Sequence, residues 1–156
     1  AGQALGNLGN MAWLLGDISL AQEYYLQALE TFDSLQATFD RVGILNNLGG
    51  LEIAREEFDQ ARFFYSESLS LAAELGDLKG QRDALLNLAK VSNLSKEWEQ
   101  AKVFYARSKD LSIKLKDRQA LSDLRKRKIR LLLLRFLDQV SILLHKKETG
   151  RVEKDI

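Results

Sequence analysis

The sequence predicts an all-α fold in which three helical hairpins stack in tandem and one long C-terminal helix closes the row. Three observations carry this reading. No proline interrupts the 156 residues, which are rich in Leu, Ala, Glu, Lys, Arg and Gln, all residues that lose little side-chain freedom in a helix. The chain also repeats itself every forty residues, since Asn7-Leu8-Gly9, Asn47-Leu48-Gly49 and Asn87-Leu88-Ala89 fall at equal intervals. Within each repeat, apolar residues recur at the three- and four-residue intervals of amphipathic helices. The hydrophobic fraction of 46% is enough for a continuous core at this length.

The first unit, about residues 1–38, sets the pattern. Leu5, Leu8 and Met11 or Ala12 mark one stripe of a first helix. Gly16 is placed for a left-handed helix end and Asp17 for capping the next helix. Ala21, Tyr25, Ala28, Leu29 and Phe32 then follow i, i+4, i+7, i+8, i+11 spacing along a second helix. The second unit, 39–78, superposes without a gap: Leu45, Ala61, Tyr65 and Leu75 fall on Leu5, Ala21, Tyr25 and Leu35. The third, 79–117, does the same with Leu85, Ala101, Tyr105 and Leu115. Their hairpin turns are less strongly signalled, because Glu56-Glu57 and Lys96-Glu97 replace Gly16-Asp17. A single hairpin cannot bury its own apolar stripe, so stacking on neighbours is required.

After Asp117 the register breaks, with Arg125 and Lys128 where the repeat demands leucine. Residues 118–146 read as a capping helix. Ile129, Leu132, Leu133, Phe136, Leu137, Val140, Leu143 and Leu144 form its expected docking face, within which Ile129, Leu133, Phe136, Val140 and Leu143 also follow the four-three spacing of a coiled-coil seam. Leu131, Leu134 and Ile142 form a narrower outer strip for a further contact, with a second copy as a homodimer, the next domain or a missing repeat. Residues 147–156 read as a polar, flexible tail.

The recurring Leu-x-x-Leu-Gly, the alanine, the tyrosine four residues later and the small residue three further on resemble the tetratricopeptide repeat. The forty-residue form is similar to Pins-like, kinesin-light-chain and MalT-type arrays, over residues 3 to about 117. The resemblance implies a right-handed alpha-alpha superhelix whose first helices line a concave surface. Two departures stand out. The aromatic expected three residues after the glycine is replaced by Ala12, Glu52 and Ser92, and the proline that usually ends a unit is missing.

In the resembling arrays an asparagine of the first helix bonds to the main chain of a bound peptide. That role is carried over to Asn7, Asn47 and Asn87, whose amides offer both donor and acceptor. Asn10, Trp13, Asn46, Lys90 and Asn93 would surround them in a peptide-binding groove. The alternative is that the asparagines bond to neighbouring helices and hold the stack. Trp13 is either the wall of an anchor pocket or half-buried packing, and Gly50 is read as permitting close helix approach.

Charge is divided unevenly. Residues 1–117 carry 12 basic and 17 acidic residues, a net charge near −5, and residues 118–156 carry 11 basic and 5 acidic, near +6. Arg125, Lys126, Arg127, Lys128 and Arg130 form a basic patch. Such a run most often marks a solvated face; an acidic peptide or nucleic acid are the alternatives, nucleic acid being disfavoured. There is no cysteine and His145 is the only histidine, which removes cysteine-based zinc sites, His-paired metal sites and histidine dyads. The isolated glycines make no phosphate loop. No enzyme activity, metal or cofactor is expected.

The most apolar stretch, 129–144, is interrupted by Arg130, Arg135 and Asp138 and is no membrane span. Lack of cysteine makes the cytoplasm the default compartment. The start at Ala1-Gly2-Gln3, already in pattern by Leu5, reads as a piece excised from a longer protein. Two functions follow from the reading: a protein-protein interaction scaffold or adaptor holding a peptide or protein segment in its groove, or the sensor segment of a larger bacterial signalling or transcription-regulator protein.

Overall fold

The computed structural model describes residues 1–34 and 38–152, with the side chains of residues 34, 38, 118–121 and 143–152 also outside the description. Leu35, the side chains of Leu143, Leu144 and His145, and the end of the tail therefore lie outside the described residues. Those described form seven helices and no strand: α1 (Gly2–Leu14), α2 (Ile18–Ser34), α3 (Thr38–Ala54), α4 (Phe58–Glu74), α5 (Leu78–Leu94), α6 (Trp98–Lys114) and α7 (Arg118–Val152). The chain divides into two compact units, Ala1–Asp117 and Arg118–Ile156.

In the first unit the helices pair as α1 with α2, α3 with α4 and α5 with α6, and each second helix also packs on the next first helix. Small residues make that approach possible. Ala21, Ala61 and Ala101 are wholly buried, as are Ala28, Ser68 and Ser108 seven residues on. One core cluster joins Ala12, Tyr25 and Phe32 to Ile44, Leu48 and Leu51 across α1, α2 and α3. A second joins Ala61 and Tyr65 to Leu88 and Val91 across α4 and α5. Ala12, and not Met11, is the buried residue of its pair in α1. Ala12, Glu52 and Ser92, at the position where an aromatic was expected, all face inward.

The aromatic rings of the second helices pack against glycines of the first. A β-carbon at Gly9 would sit 2.5 Å from Tyr25 Cε1, one at Gly49 would sit 2.6 Å from Tyr65 Cε1, and one at Gly2 would sit 2.6 Å from Phe32 Cε1. No side chain fits there without moving a ring that is itself buried. Ala89 holds the corresponding place in the third unit, and Tyr105 is half-buried where Tyr25 and Tyr65 are buried.

The same turn is built five times. At the end of α1, Gly16 N–H donates to Trp13 O and Asp17 N–H to Ala12 O, the paired bonds that close a helix through one left-handed residue. Matching pairs run from Glu56 and Glu57, Gly76 and Asp77, Lys96 and Glu97, and Lys116 and Asp117. The second and third hairpins thus turn as the first does, with Glu56 at φ 63° and Lys96 at φ 60° taking the conformation Gly16 takes at φ 83°. Asp17 and Asp77 also cap the helices they precede, accepting from Leu20 N–H and from Lys79 and Gly80 N–H. Glu57 and Glu97 make no side-chain cap bond.

A non-glycine residue in the left-handed region is strained by its β-carbon. Glu56→Gly and Lys96→Gly are each expected to stabilise the chain by about 0.5–1 kcal/mol. The urea midpoint should rise at constant slope; an unchanged or lower midpoint would show that these residues carry no strain.

The second unit is α7. It starts forty residues after α5, in step with the repeat, but runs on through 135–137, where the three earlier hairpins turn. Phe136 and Leu137 occupy the places of Gly16 and Asp17, and an aromatic residue followed by leucine offers neither a left-handed stop nor a cap. The helix also continues to Val152 rather than ending at Lys146, because Lys146, Lys147 and Glu148 are good helix formers. Among the described residues no helix is long and apolar enough to cross a membrane.

Candidate ligand-binding face

The forty-residue period puts Asn7, Asn47 and Asn87 at equivalent points of α1, α3 and α5, each one residue before a leucine. Leu48 and Leu88 are buried, whereas Leu8, expected in the core stripe of α1, is exposed on the uncovered first helix. Being next to the buried line, they emerge at its edge: Asn7 is exposed, and Asn47 and Asn87 are half-buried. Hydrogen bonds link the three helices along this edge. Asn47 Nδ2 donates to Asn10 Oδ1 at 3.1 Å, and Asn87 Nδ2 donates to Asn46 Oδ1 at 3.2 Å. Asn46 is itself held by donating from Nδ2 to Val42 O at 3.0 Å.

Asn10 is fixed from below. The Tyr25 hydroxyl, whose ring lies against Gly9, donates to Asn10 Oδ1 at 2.6 Å. With its oxygen taken by Tyr25 and Asn47, Asn10 presents its NH2 group outward. Asn47 and Asn87 each keep Oδ1 and one N–H beyond the bond that ties them to the neighbouring helix. Asn7 makes no hydrogen bond among the described residues, so its whole amide is open. The asparagines expected to face a ligand therefore also join the helices, and the two alternatives read from sequence coexist in the same side chains.

Trp13 is half-buried. Its ring end fills the space a β-carbon at Gly50 would occupy, so the glycine makes room for the indole and not for close approach of two backbones. Lys90, at the repeat position of Asn10 and Gly50, is exposed. Asn93 is half-buried, and its Oδ1 is enclosed without a hydrogen-bond partner. The face thus grades from amide-rich on α1 and α3 to a lysine on α5.

Polar groups that sequence reasoning missed lie away from this row, on α4 and at the start of α5. Arg62 of α4 grips α6, donating from Nη1 to Glu97 Oε2 at 2.6 Å and to Gln100 Oε1 at 2.7 Å. Arg82 is buried and clamps two acids, Asp83 at 2.7 Å and Asp117 at 2.6 Å. Burial alone would lower its proton affinity, but the two carboxylates more than offset that and raise it. Arg62 is raised too, chiefly by its hydrogen bond to Glu97. Neither contact had a signal in the repeat, since Val42 stands one period before Arg82. Burial raises the proton affinity of the Tyr25 hydroxyl and pushes that of Tyr65 well above the ordinary phenol range.

On α7 the basic residues Arg125, Lys126, Arg127, Lys128 and Arg130 are all exposed. The burial of the apolar residues departs from the sequence expectation in part. Leu131 is only 3% exposed and does not belong to an outer strip, although Leu134 and Ile142 are exposed. Ile129, Leu132, Leu133, Phe136 and Leu137, expected to dock, are instead between 51% and 62% exposed. Leu124 and Leu131, two helical turns apart, define the buried line. The number of apolar residues on a face does not decide which face is covered.

Residues 2–31 match the family model described as tetratricopeptide repeat. No curated protein matches the sequence. Among solved structures, BtubC (BKLC) from P. vanneervenii superposes with a TM-score of 0.76 at 20% identity, over 85% of this chain and 55% of that one. The N-terminal domain of stress-induced protein-1 (STI-1) from C. elegans gives 0.63 at 18% identity, over 80% and 92%. The apo form of RapI gives 0.71 at 14%, over 85% and 52%. The chain spans about half the length of BtubC and of RapI.

Proposed function

Because the chain is a tetratricopeptide-repeat protein, a fold that generally serves protein interaction, we propose that the asparagine-bearing edge of α1, α3 and α5 is a docking platform for an extended segment of another protein. The observation that carries the proposal is the hydrogen-bonded row itself. Asn10, Asn47 and Asn87 are held in place by Tyr25, Asn10 and Asn46, yet each retains polar capacity that points nowhere within the chain. Amides positioned in advance cost little ordering entropy when a ligand binds. Their mixed donors and acceptors match the alternating N–H and C=O groups of an extended main chain. Side chains of the ligand would enter beside Trp13 and near Lys90, which favours an acidic group at the α5 end. The role is binding, with no chemistry performed on the ligand.

Selection from a random peptide library on the immobilised chain provides a ligand with which to test this. Asn7→Ala is the cleanest variant, since Asn7 supports nothing inside the chain, and it should weaken the selected peptide about tenfold without changing thermal stability. Asn47→Ala and Asn87→Ala should weaken it further. Peptides that bind equally well to all three variants would remove the row from the binding site.

A further inference from the structure

The geometry points to α7 as a self-pairing helix: a second copy of this chain covers its exposed apolar stripe, with the two helices antiparallel and the two-fold axis passing between Leu134 and Arg135.

The stripe is symmetric about that point. Ile129, Leu132, Leu133, Phe136, Leu137 and Val140 lie within one side of the helix by their three-four spacing. Reversal about the axis exchanges Ile129 with Val140, Leu132 with Leu137, and Leu133 with Phe136, so every apolar side chain meets an apolar side chain of the other copy. That is the condition for an isologous interface. Five of these six side chains are more than half exposed and the sixth, Val140, is partly so.

The occupant and its direction follow from area and charge. A standard interface removes roughly 800 Å² per partner, about 60% of it apolar. The stripe exposes roughly 500 Å² of apolar side chain, which matches that need. A parallel pair would set Arg125, Lys126, Arg127, Lys128 and Arg130 beside the same five cations. An antiparallel pair separates the two clusters by roughly 20 Å along the axis at the helical rise, beyond the screening length near 8 Å. The unbroken course of α7 through 135–137 supplies the straight surface this pairing requires, since a turn at Phe136 would divide the stripe.

Sedimentation equilibrium of the whole chain at about 50 µM should give a dimer mass. Leu133→Glu and Phe136→Glu, both at exposed sites, should each weaken the dimer about 100-fold and leave the far-ultraviolet circular dichroism unchanged. Direction is read separately. The chain has no cysteine, so a spin label on Ser122→Cys reports one distance between copies, roughly 40 Å for the antiparallel pair and under about 15 Å for a parallel one. A monomer in the unmodified chain, or a dimer that survives both glutamates, would overturn the proposal. A short label distance would overturn the antiparallel arrangement.

Discussion

Tyr65→Ala is expected to cost about 4 kcal/mol of stability, and Gly49→Val about 3 kcal/mol, but the two together should cost much less than their sum. The ring of Tyr65 is 2% exposed and rests on the bare backbone of Gly49, where a β-carbon would stand 2.6 Å from Cε1. Removing the ring opens a cavity between α3, α4 and α5. Adding carbon at Gly49 drives the ring into neighbours that are themselves wholly buried, Ala61 and Val91 among them. Without the ring, the same added carbon occupies part of the void. The coupling between the two changes should therefore reach about 2 kcal/mol in favour of the double variant. Urea unfolding of the four proteins at a common slope measures it. Additivity to within about 0.5 kcal/mol would mean that the ring and the glycine do not share this space.

Raising the pH should unfold the chain above pH 10, through the same tyrosine. A phenol whose folded pKa lies above its unfolded value of 10 contributes stability that is complete below pH 10. That stability is lost as the pH rises, because only the unfolded state releases the proton. For Tyr65 the loss approaches about 1.4 kcal/mol per pH unit above pH 10, for as long as the folded state keeps its proton. Tyr25, also raised by burial, acts in the same direction. The urea midpoint followed from about pH 8 to 12 should fall in this window, and Tyr65→Phe should flatten the fall. Absorbance of tyrosinate near 295 nm should appear together with loss of helix. Ionisation of all the tyrosines before any helix is lost would contradict the burial of these rings.

Much of this fold was legible in the sequence, because a repeat multiplies weak signals. Ile18, Phe58 and Trp98 each open a second helix, and three copies at one spacing fix what one copy could only suggest. The glycines of Asn-Leu-Gly were legible as a motif, but their job was not, since contact with Tyr25 and Tyr65 is a property of the packed pair. Turns were undersold where glycine was absent. Glu56 and Lys96 adopt the left-handed conformation because the helices on either side dictate it, overriding a local preference worth about 1 kcal/mol.

The proposed binding face was legible as a row of like residues and illegible as a network. Nothing in the order of residues says that Asn47 reaches Asn10 or that Asn87 reaches Asn46, because each bond joins positions 37 and 41 residues apart. Arg82 lay beyond reach for the same reason: its partners sit next to it and 35 residues away, and it replaces a valine of the preceding unit. On α7 the expected docking residues from Ile129 to Leu137 are exposed and Leu131 of the expected outer strip is buried, while Leu134 and Ile142 are exposed as expected. Periodicity counts apolar residues around a helix and does not by itself say which of them are covered.

The left-handed turns have one more consequence. Their closing bonds run from backbone to backbone, so within the first unit the corners between successive helices are closed without help from any side chain at 16, 56, 76 or 96. Robustness and the proposed recognition are thereby written in different letters of the chain. A lineage, or an engineer, can harden the array at its corners while leaving the row of amides untouched, and can change that row without disturbing the corners.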